Sequence, residues 1–171
     1  MHFLKVIFGL GLFIFLGFVH KAGEKHEWTS FRGFDGMGID TQWSAPTSWD
    51  ASDFKWEIEL DGTGVSSPVV WDELIFVTSS DDEKGYGYLS AVNSSSGDLL
   101  WKYTFEVSGL SMHPNNKLAS ATPAVDGLFV YVIWYAKDET TLYAFTHQGA
   151  LQWKSEFEGI ESRHGGGSSL V

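Results

Sequence analysis

The stretch AVNSSSGDLLW, residues 91–101, decides how this chain folds, because AFTHQGALQW at residues 144–153 repeats its Ala, Gly and Trp. Neither a simple strand nor a simple helix pattern requires these three residue types. Gly97 and Gly149 each lie in a polar turn between apolar runs, where a positive φ is needed and a Cβ would clash. The skeleton therefore predicts the same turn between two strands, made twice.

The sequence before each skeleton repeats as well. GVSSPVVWDELIFVTS at residues 64–79 matches LASATPAVDGLFVYVIW at residues 118–134. Each has hydroxyl residues before a Pro, a short apolar strand, a two-residue turn (residues 72–73 and 126–127) and a second apolar strand. A third strand and a Trp-bearing fourth strand follow. Four strands in a row, repeated at a spacing of 52 to 55 residues, are the unit of a β-propeller blade.

Composition agrees with strands joined by tight turns. The chain has 171 residues, of which 16% are aromatic, and its 19 Gly outnumber its 4 Pro. We predict an all-β fold, a partial β-propeller of about two four-stranded antiparallel blades with an N-terminal closing strand.

Residues 1–22 predict an exported protein. A single cation, Lys5, precedes an uninterrupted apolar run of fourteen residues at 6–19. This run fits a signal peptide and is shorter than the roughly 20 residues that a membrane-spanning helix needs. Residues 20–22 supply a small residue at only one of the two cleavage positions, so an uncleaved N-terminal anchor stays open. We expect a periplasmic, secreted or membrane-anchored protein that works outside the cytoplasm.

The rest of the chain divides into an extended lead-in, residues 23–53, and an incomplete propeller, residues 54–171. FKWEIEL resembles the Trp-bearing fourth strands but lacks three strands before it, as expected of a strand that closes a ring by pairing with the last blade. GGGSSLV mirrors the start of a blade, so we expect the chain to be the N-terminal part of a longer propeller. The predicted bounds are 54–60 for the closing strand, 64–106 and 118–158 for the two blades, and 165–171 for the start of the next blade.

The skeleton resembles the tryptophan-docking motif of the pyrroloquinoline-quinone-like (PQQ-like) propeller repeats, in which Ala, Gly and Trp occupy positions one, seven and eleven. WTSFRGFDGMGI at residues 28–39 is similar to the start of exported members of this family. We expect the Trp to pack between neighbouring blades and the Ala to make room for the Trp of an adjacent blade. The matching residues are Ala91, Gly97 and Trp101, and then Ala144, Gly149 and Trp153, with one residue fewer before the second Gly.

The resemblance covers more than one activity. The superfamily contains quinone-dependent alcohol dehydrogenases, the propeller subunit of the outer-membrane β-barrel assembly machinery, and exported propellers of no assigned chemistry. A dehydrogenase implies PQQ, a calcium ion held by oxygen ligands, a catalytic Asp and commonly a vicinal disulfide. This chain has no Cys, and its adjacent acids at 81–83 are expected to form a solvated loop rather than a cation site.

Three loop residues are candidates for binding. His113 and Asn116 lie in the loop between the predicted blades, and loops on one face of a propeller commonly bind ligands. The alternative for His113 is a hydrogen bond to a neighbouring blade. Arg32 lies in the lead-in and could instead bridge it to the propeller through carboxylates or carbonyl oxygens.

Charge and motifs narrow the function. A net charge of −11 argues against nucleic acid as a partner and against anionic membranes, leaving membrane contact to an uncleaved N-terminal segment. We find no catalytic triad signature, phosphate loop or zinc motif. We predict a non-catalytic exported scaffold that binds a protein or an extracellular polymer, with no catalytic residue, metal site or cofactor. The alternative is a truncated quinone-dependent alcohol dehydrogenase-like oxidoreductase, which alone would need PQQ and calcium.

Overall fold

Among the residues that it describes, the computed structural model is all-β apart from one 3₁₀ turn at Ala51–Asp53. The segment predicted to direct export, residues 1–22, lies outside the described residues. Within the described part of the chain, no helix has the length and apolarity to cross a membrane. The residues that the structure describes are 27–33, 35–40, 46–107, 113, 115–159 and 166–171.

Eight strands form two antiparallel sheets of four strands each, and in each sheet the spatial order follows the chain order. This confirms the predicted fold class, a partial β-propeller with two four-stranded blades. The strands of the first sheet are β1 (Val69–Trp71), β2 (Leu74–Asp81), β3 (Tyr86–Asn93) and β4 (Leu99–Glu106). Those of the second are β5 (Ala124–Val125), β6 (Phe129–Tyr135), β7 (Glu139–Thr146) and β8 (Leu151–Glu158).

Ala91 lies in a cross-strand row with two aromatic residues. Phe76 on β2 pairs with Ala91 on β3, which pairs with Trp101 on β4, so the three side chains share one face. Because Ala ends at Cβ, the rings on either side of it meet, with centroids 5.9 Å apart. A longer side chain at residue 91 would separate these two rings.

The second sheet repeats this row with Tyr131, Ala144 and Trp153, and its ring centroids lie 6.0 Å apart. The sequence led us to expect that each Ala makes room for the Trp of an adjacent blade. In the structure, the rings that meet across each Ala belong to its own sheet, because antiparallel pairing aligns all three residues in one row.

The second sheet packs on the aromatic face of the first. Phe105 is only 4% exposed, and its ring centroid lies 5.4 Å from that of Trp134 and 4.9 Å from that of Tyr143. Tyr103 adds a contact with Phe145 at 4.7 Å. Tilted aromatic pairs of this kind contribute about 0.5–1.5 kcal/mol each beyond their buried area. The contact between the two sheets is therefore the centre of the hydrophobic core.

Trp101 also binds the β7–β8 turn of the second sheet. Its indole Nε1 donates a hydrogen bond of 2.8 Å to the carbonyl oxygen of His147. The ring lies against Gly149, where a Cβ would be only 2.8 Å from Trp101 Cδ2. Gly149 has a φ of +87°, a conformation that favours glycine. The turn therefore needs Gly both for its backbone and for the approach of the indole.

Trp56 binds the first sheet in the same way. Its Nε1 donates to Ser94 O at 3.0 Å, and its ring covers Gly97, which has a φ of +79°. Trp56 belongs to the predicted closing strand, residues 54–60, which here is not one of the eight strands. Trp56 thus holds the turn of the first sheet as Trp101 holds the turn of the second.

A series of hydroxyl groups links the starts of the repeats. Ser67 N donates to Thr122 Oγ1 at 3.0 Å, and Thr122 N donates to Ser169 Oγ at 3.0 Å. These three residues occupy the same position of the aligned repeats. Residues 166–171 are therefore held against the second blade as the second blade is held against the first.

The Gly149→Ala substitution should lower the free energy of unfolding by about 2–4 kcal/mol, since it combines an unfavourable φ with displacement of Trp101. Gly36→Ala is the matched control, because Gly36 also has a positive φ, +71°, but a Cβ there would meet nothing within 4 Å. Its cost should be about 1 kcal/mol. Urea denaturation followed by circular dichroism measures both, and equal costs would contradict the docking role of the turn.

Candidate functional site

The face of the second sheet that points away from the first is partly uncovered. We call it the open face and define it by Tyr131, Leu142, Trp153 and Phe157, which the strand register places on one side. Phe157 is 52% exposed and Trp153 is 41% exposed. Phe105, which occupies the place of Phe157 in the first sheet, is buried by the second sheet. The open face thus repeats the aromatic positions of Trp101 and Phe105 without a sheet packed on them.

A cavity of about 440 Å³ lies at one end of the open face. The second sheet provides most of its wall, while the lead-in and the C-terminal segment complete the rim. Aromatic rings, aliphatic groups and one carboxylate meet there. The lining includes Thr29, Asp126, Tyr131, Leu142, Trp153 and Leu170.

Asp126 is the charged group of the cavity and is held in place by three donors. Its Oδ1 accepts hydrogen bonds of 2.8 Å from the amides of Leu128 and Phe129, and its Oδ2 accepts one of 2.9 Å from the Tyr131 hydroxyl. Partial burial raises the pKa of this carboxyl, but the two amides, the hydroxyl and nearby His147 outweigh it and lower the pKa overall. Asp126 is therefore a fixed carboxylate at neutral pH.

The turn that carries Asp126 differs from the one predicted. Asp126 N donates to Phe129 O at 3.0 Å, so the two residues at the tip are 127–128 rather than 126–127. The side chain of Asp126 binds the amides of the turn, which stabilises this register without a positive φ at Gly127. The shift by one residue places the carboxylate beside the cavity.

The equivalent place on the first sheet is filled by His147 from the second sheet. The His147 ring centroid lies 6.0 Å from that of Trp71 and 5.8 Å from that of Phe76. Its Nε2 lies 2.9 Å from the carbonyl oxygen of Asp126, to which it donates. Sequence reasoning found no partner for His147, because its ring contacts with Trp71 and Phe76 join different repeats and its bond to Asp126 joins two separate turns of one repeat. In the aligned repeats, the cavity residue Asp126 corresponds to Trp71, Tyr131 corresponds to Phe76, and Trp153 corresponds to Trp101.

The three candidates from the sequence lie outside the set of described residues that line the cavity. His113 is exposed and stabilises its own loop, since its Nδ1 accepts from Asn115 N at 3.3 Å and its carbonyl accepts from Asn116 N at 2.8 Å. Arg32 is exposed in the lead-in, with its guanidinium 5.9 Å from the centroid of the Phe31 ring. Each is held by its own local segment, so a binding role for them stays a prediction.

The acidic loop at residues 81–83 was expected to be solvated, but it makes structural contacts with other parts of the chain. Asp82 Oδ1 accepts from Ser80 Oγ at 2.6 Å and from Leu118 N at 3.3 Å, which ties the first blade to the start of the second. Asp81 pairs with Lys84 at 2.6 Å.

A bound calcium ion would need a cluster of oxygen ligands. Calcium takes six to eight oxygen ligands. Among the described residues, no group of three or more His, Cys, Asp or Glu side chains is placed to hold a metal ion.

The chain is similar to proteins of known structure. No protein-family model and no curated protein matches the chain. A solved structure described as a europium-containing methanol dehydrogenase is similar to it, with 18% sequence identity and a TM-score of 0.41. The match covers 54% of this chain and 15% of that chain. The chain thus spans a small part of the length of the protein that it resembles.

The two docking Trp residues should differ in their importance for stability. Trp101→Ala removes a ring packed between the sheets and should cost about 3 kcal/mol of unfolding free energy. Trp153→Ala removes the same residue from the open face and should cost about 1 kcal/mol or less. Urea denaturation of both variants measures the difference. Similar costs would show that Trp153 is already covered in solution.

Proposed function

We propose that the chain is a non-catalytic scaffold of the PQQ-like propeller type that works outside the cytoplasm and binds a protein partner through its open face. The observation that carries this proposal is the exposure of an aromatic surface whose counterpart is covered: Phe157 is 52% exposed and Phe105 is 4% exposed. An uncovered aromatic face of this kind marks an interaction site more often than a solvated surface.

The composition of the open face supports a protein partner. Tyr and Trp are enriched in protein interfaces, where they bury large areas and still offer a polar group. Trp153 and Tyr131 lie with their ring centroids 6.0 Å apart, so they form one continuous aromatic surface beside the Asp126 carboxylate. The net charge of −11 argues against a nucleic acid on this surface.

The proposed mode of binding is based on the contact between the first and second sheets. The first sheet contacts the second and third strands of the second sheet and the turn after the third strand, to which Trp101 is bound. The open face has the same row of residues, so it should receive a sheet of the same kind. A hairpin that copies residues 139–158 is therefore the direct probe of the surface.

Binding of a backbone-cyclised hairpin of residues 139–158 tests the proposal, with its fold first checked by NMR. The fluorescently labelled hairpin should bind the intact protein saturably in a fluorescence anisotropy titration. Phe157→Asp should weaken binding by at least about tenfold, because it puts a charge in the centre of the contact. Leu128→Asp is the control, since Leu128 is 70% exposed at a turn tip outside the defined open face.

Two outcomes would contradict the scaffold proposal at this surface. One is the absence of saturable binding to the intact protein. The other is an equal loss of binding in the Phe157→Asp and Leu128→Asp proteins, which would indicate non-specific adhesion to exposed apolar groups.

The alternative function is a quinone-dependent dehydrogenase, which the Ala, Gly and Trp repeats also favour. Incubation of the longest expressible protein with PQQ and calcium, followed by removal of free cofactor, separates the two functions. We expect no retained cofactor absorbance and no cofactor-dependent reduction of an artificial electron-accepting dye. Retained PQQ together with dye reduction in the presence of an alcohol would replace the scaffold proposal.

A further inference from the structure

We propose that the lead-in rests against the surface of a zwitterionic lipid bilayer in a protein that keeps its N-terminal apolar run, residues 6–19, as an anchor. The contact is made by four residues of the lead-in, Phe31, Arg32, Met37 and Ile39, which we call the lead-in patch. The inference goes beyond the proposed function, because it concerns a lipid surface and uses none of the residues that define the open face.

The lead-in patch exposes large apolar side chains that lie close together. Phe31, Met37 and Ile39 each have between 47% and 65% of their surface exposed. The amide of Gly38 donates a hydrogen bond of 2.8 Å to the carbonyl oxygen of Arg32, which brings the residues on either side of these two together. Exposed apolar side chains that are grouped in this way mark a contact with a protein or a membrane, whereas singly scattered ones need no explanation.

The patch is held by the first strands of both sheets. Trp28 exchanges two backbone hydrogen bonds, of 3.0 and 2.8 Å, with Val70 of β1, and Val125 of β5 donates to the carbonyl oxygen of Thr29 at 2.8 Å. The ring of Trp28 also packs on Gly33, where a Cβ would lie 3.0 Å from Trp28 Cζ3. Because the lead-in is fixed to both sheets, its contact with a surface would orient both of them.

The distribution of charge favours a zwitterionic bilayer at this part of the chain. Residues 1–40 contain four basic and four acidic residues, so the net charge of −11 belongs entirely to residues 41–171. The neutral segment can approach a zwitterionic surface closely while the acidic remainder stays solvated. An anionic surface would instead repel that remainder.

The position of the patch in the chain favours a bilayer over a protein partner. Phe31 follows Val19, the last residue of the apolar run, by twelve residues. An extended chain covers at most about 3.6 Å per residue, so the patch lies within about 40 Å of the end of the anchor. Over so short a link, the lipid surface is present at a high effective concentration, which a partner from solution would not match.

Arg32 gives the patch a polar group that suits a lipid surface. Its exposed guanidinium lies 5.9 Å from the centroid of the Phe31 ring. At a bilayer surface, the aliphatic stem of an Arg packs beside apolar groups while its guanidinium binds lipid phosphates. Asp35, an acid of the same loop, is bound to its own backbone, since its Oδ1 accepts a hydrogen bond of 3.0 Å from Met37 N.

A fluorescent probe on the lead-in patch tests the contact in the full chain. The sequence has no Cys, so Met37→Cys provides a single site for an environment-sensitive nitrobenzoxadiazole label. With residues 1–171 reconstituted in phosphatidylcholine vesicles, its emission should shift to shorter wavelength. Lipids that are spin-labelled near the headgroup should quench it about twofold or more. Leu128→Cys, labelled at an exposed turn tip of the second sheet, should show neither effect.

A second variant separates the patch from the anchor. Phe31→Ser and Ile39→Ser, combined in the labelled Met37→Cys protein, should remove at least about half of the quenching, because the patch then buries less apolar surface. Flotation with the vesicles should be unchanged, because the apolar run at residues 6–19 is intact. Circular dichroism confirms that each protein is folded.

Four outcomes would overturn the inference. One is a protein that does not float with the vesicles, and another is equal quenching of the labels at residues 37 and 128, which would indicate non-specific adsorption. The third is quenching at residue 37 that persists in full in the Phe31→Ser and Ile39→Ser protein. The fourth is a shifted emission without quenching, which would show that protein, from this chain or a second copy, covers the patch. None of these results bears on binding of the hairpin to the open face, so the two proposals fail separately.

Discussion

The packing of the Trp101 indole on the turn at Gly149 is the interaction on which this structure depends. One side chain both buries a large ring and supplies a hydrogen bond to a carbonyl oxygen of the neighbouring sheet. That bond satisfies a backbone group at the interface, and the ring excludes water from it. The same pairing joins Trp56 to the turn at Gly97, so the turns of both sheets are held in the same way by a Trp that precedes them in the chain. The aromatic core, the hydroxyl series and the open face all follow from that relation.

Repetition also explains how a structural surface becomes a candidate binding surface. The second sheet covers one face of the first and leaves part of its own opposite face exposed. Its cross-strand row has a ring on either side of an Ala, as in the first sheet. Asp126, however, stands where the first sheet has Trp71.

Much of the fold could be predicted from local pattern. Apolar runs separated by polar turns specify the strands, the two Gly residues specify the turns, and the spacing of 52 to 55 residues specifies repeated sheets. The candidate site could not be found in this way. The binding residues proposed from the sequence, His113, Asn116 and Arg32, were chosen because they lie in loops. The cavity instead combines a turn residue, two strand residues and the lead-in, which no spacing along the chain connects.

The sequence by itself determined that the chain forms two four-stranded antiparallel sheets with a Gly turn and a Trp in each, because these features depend on neighbouring residues and their period. Only the tertiary structure decided that Ala91 lies beneath two rings of its own sheet, that Asp82 ties two blades together and that Asp126 faces a cavity. The physical reason is that a side chain's neighbours depend on strand register and sheet packing. A shift of one residue, such as the one at the Asp126 turn, changes those neighbours without changing the pattern of apolar and polar residues.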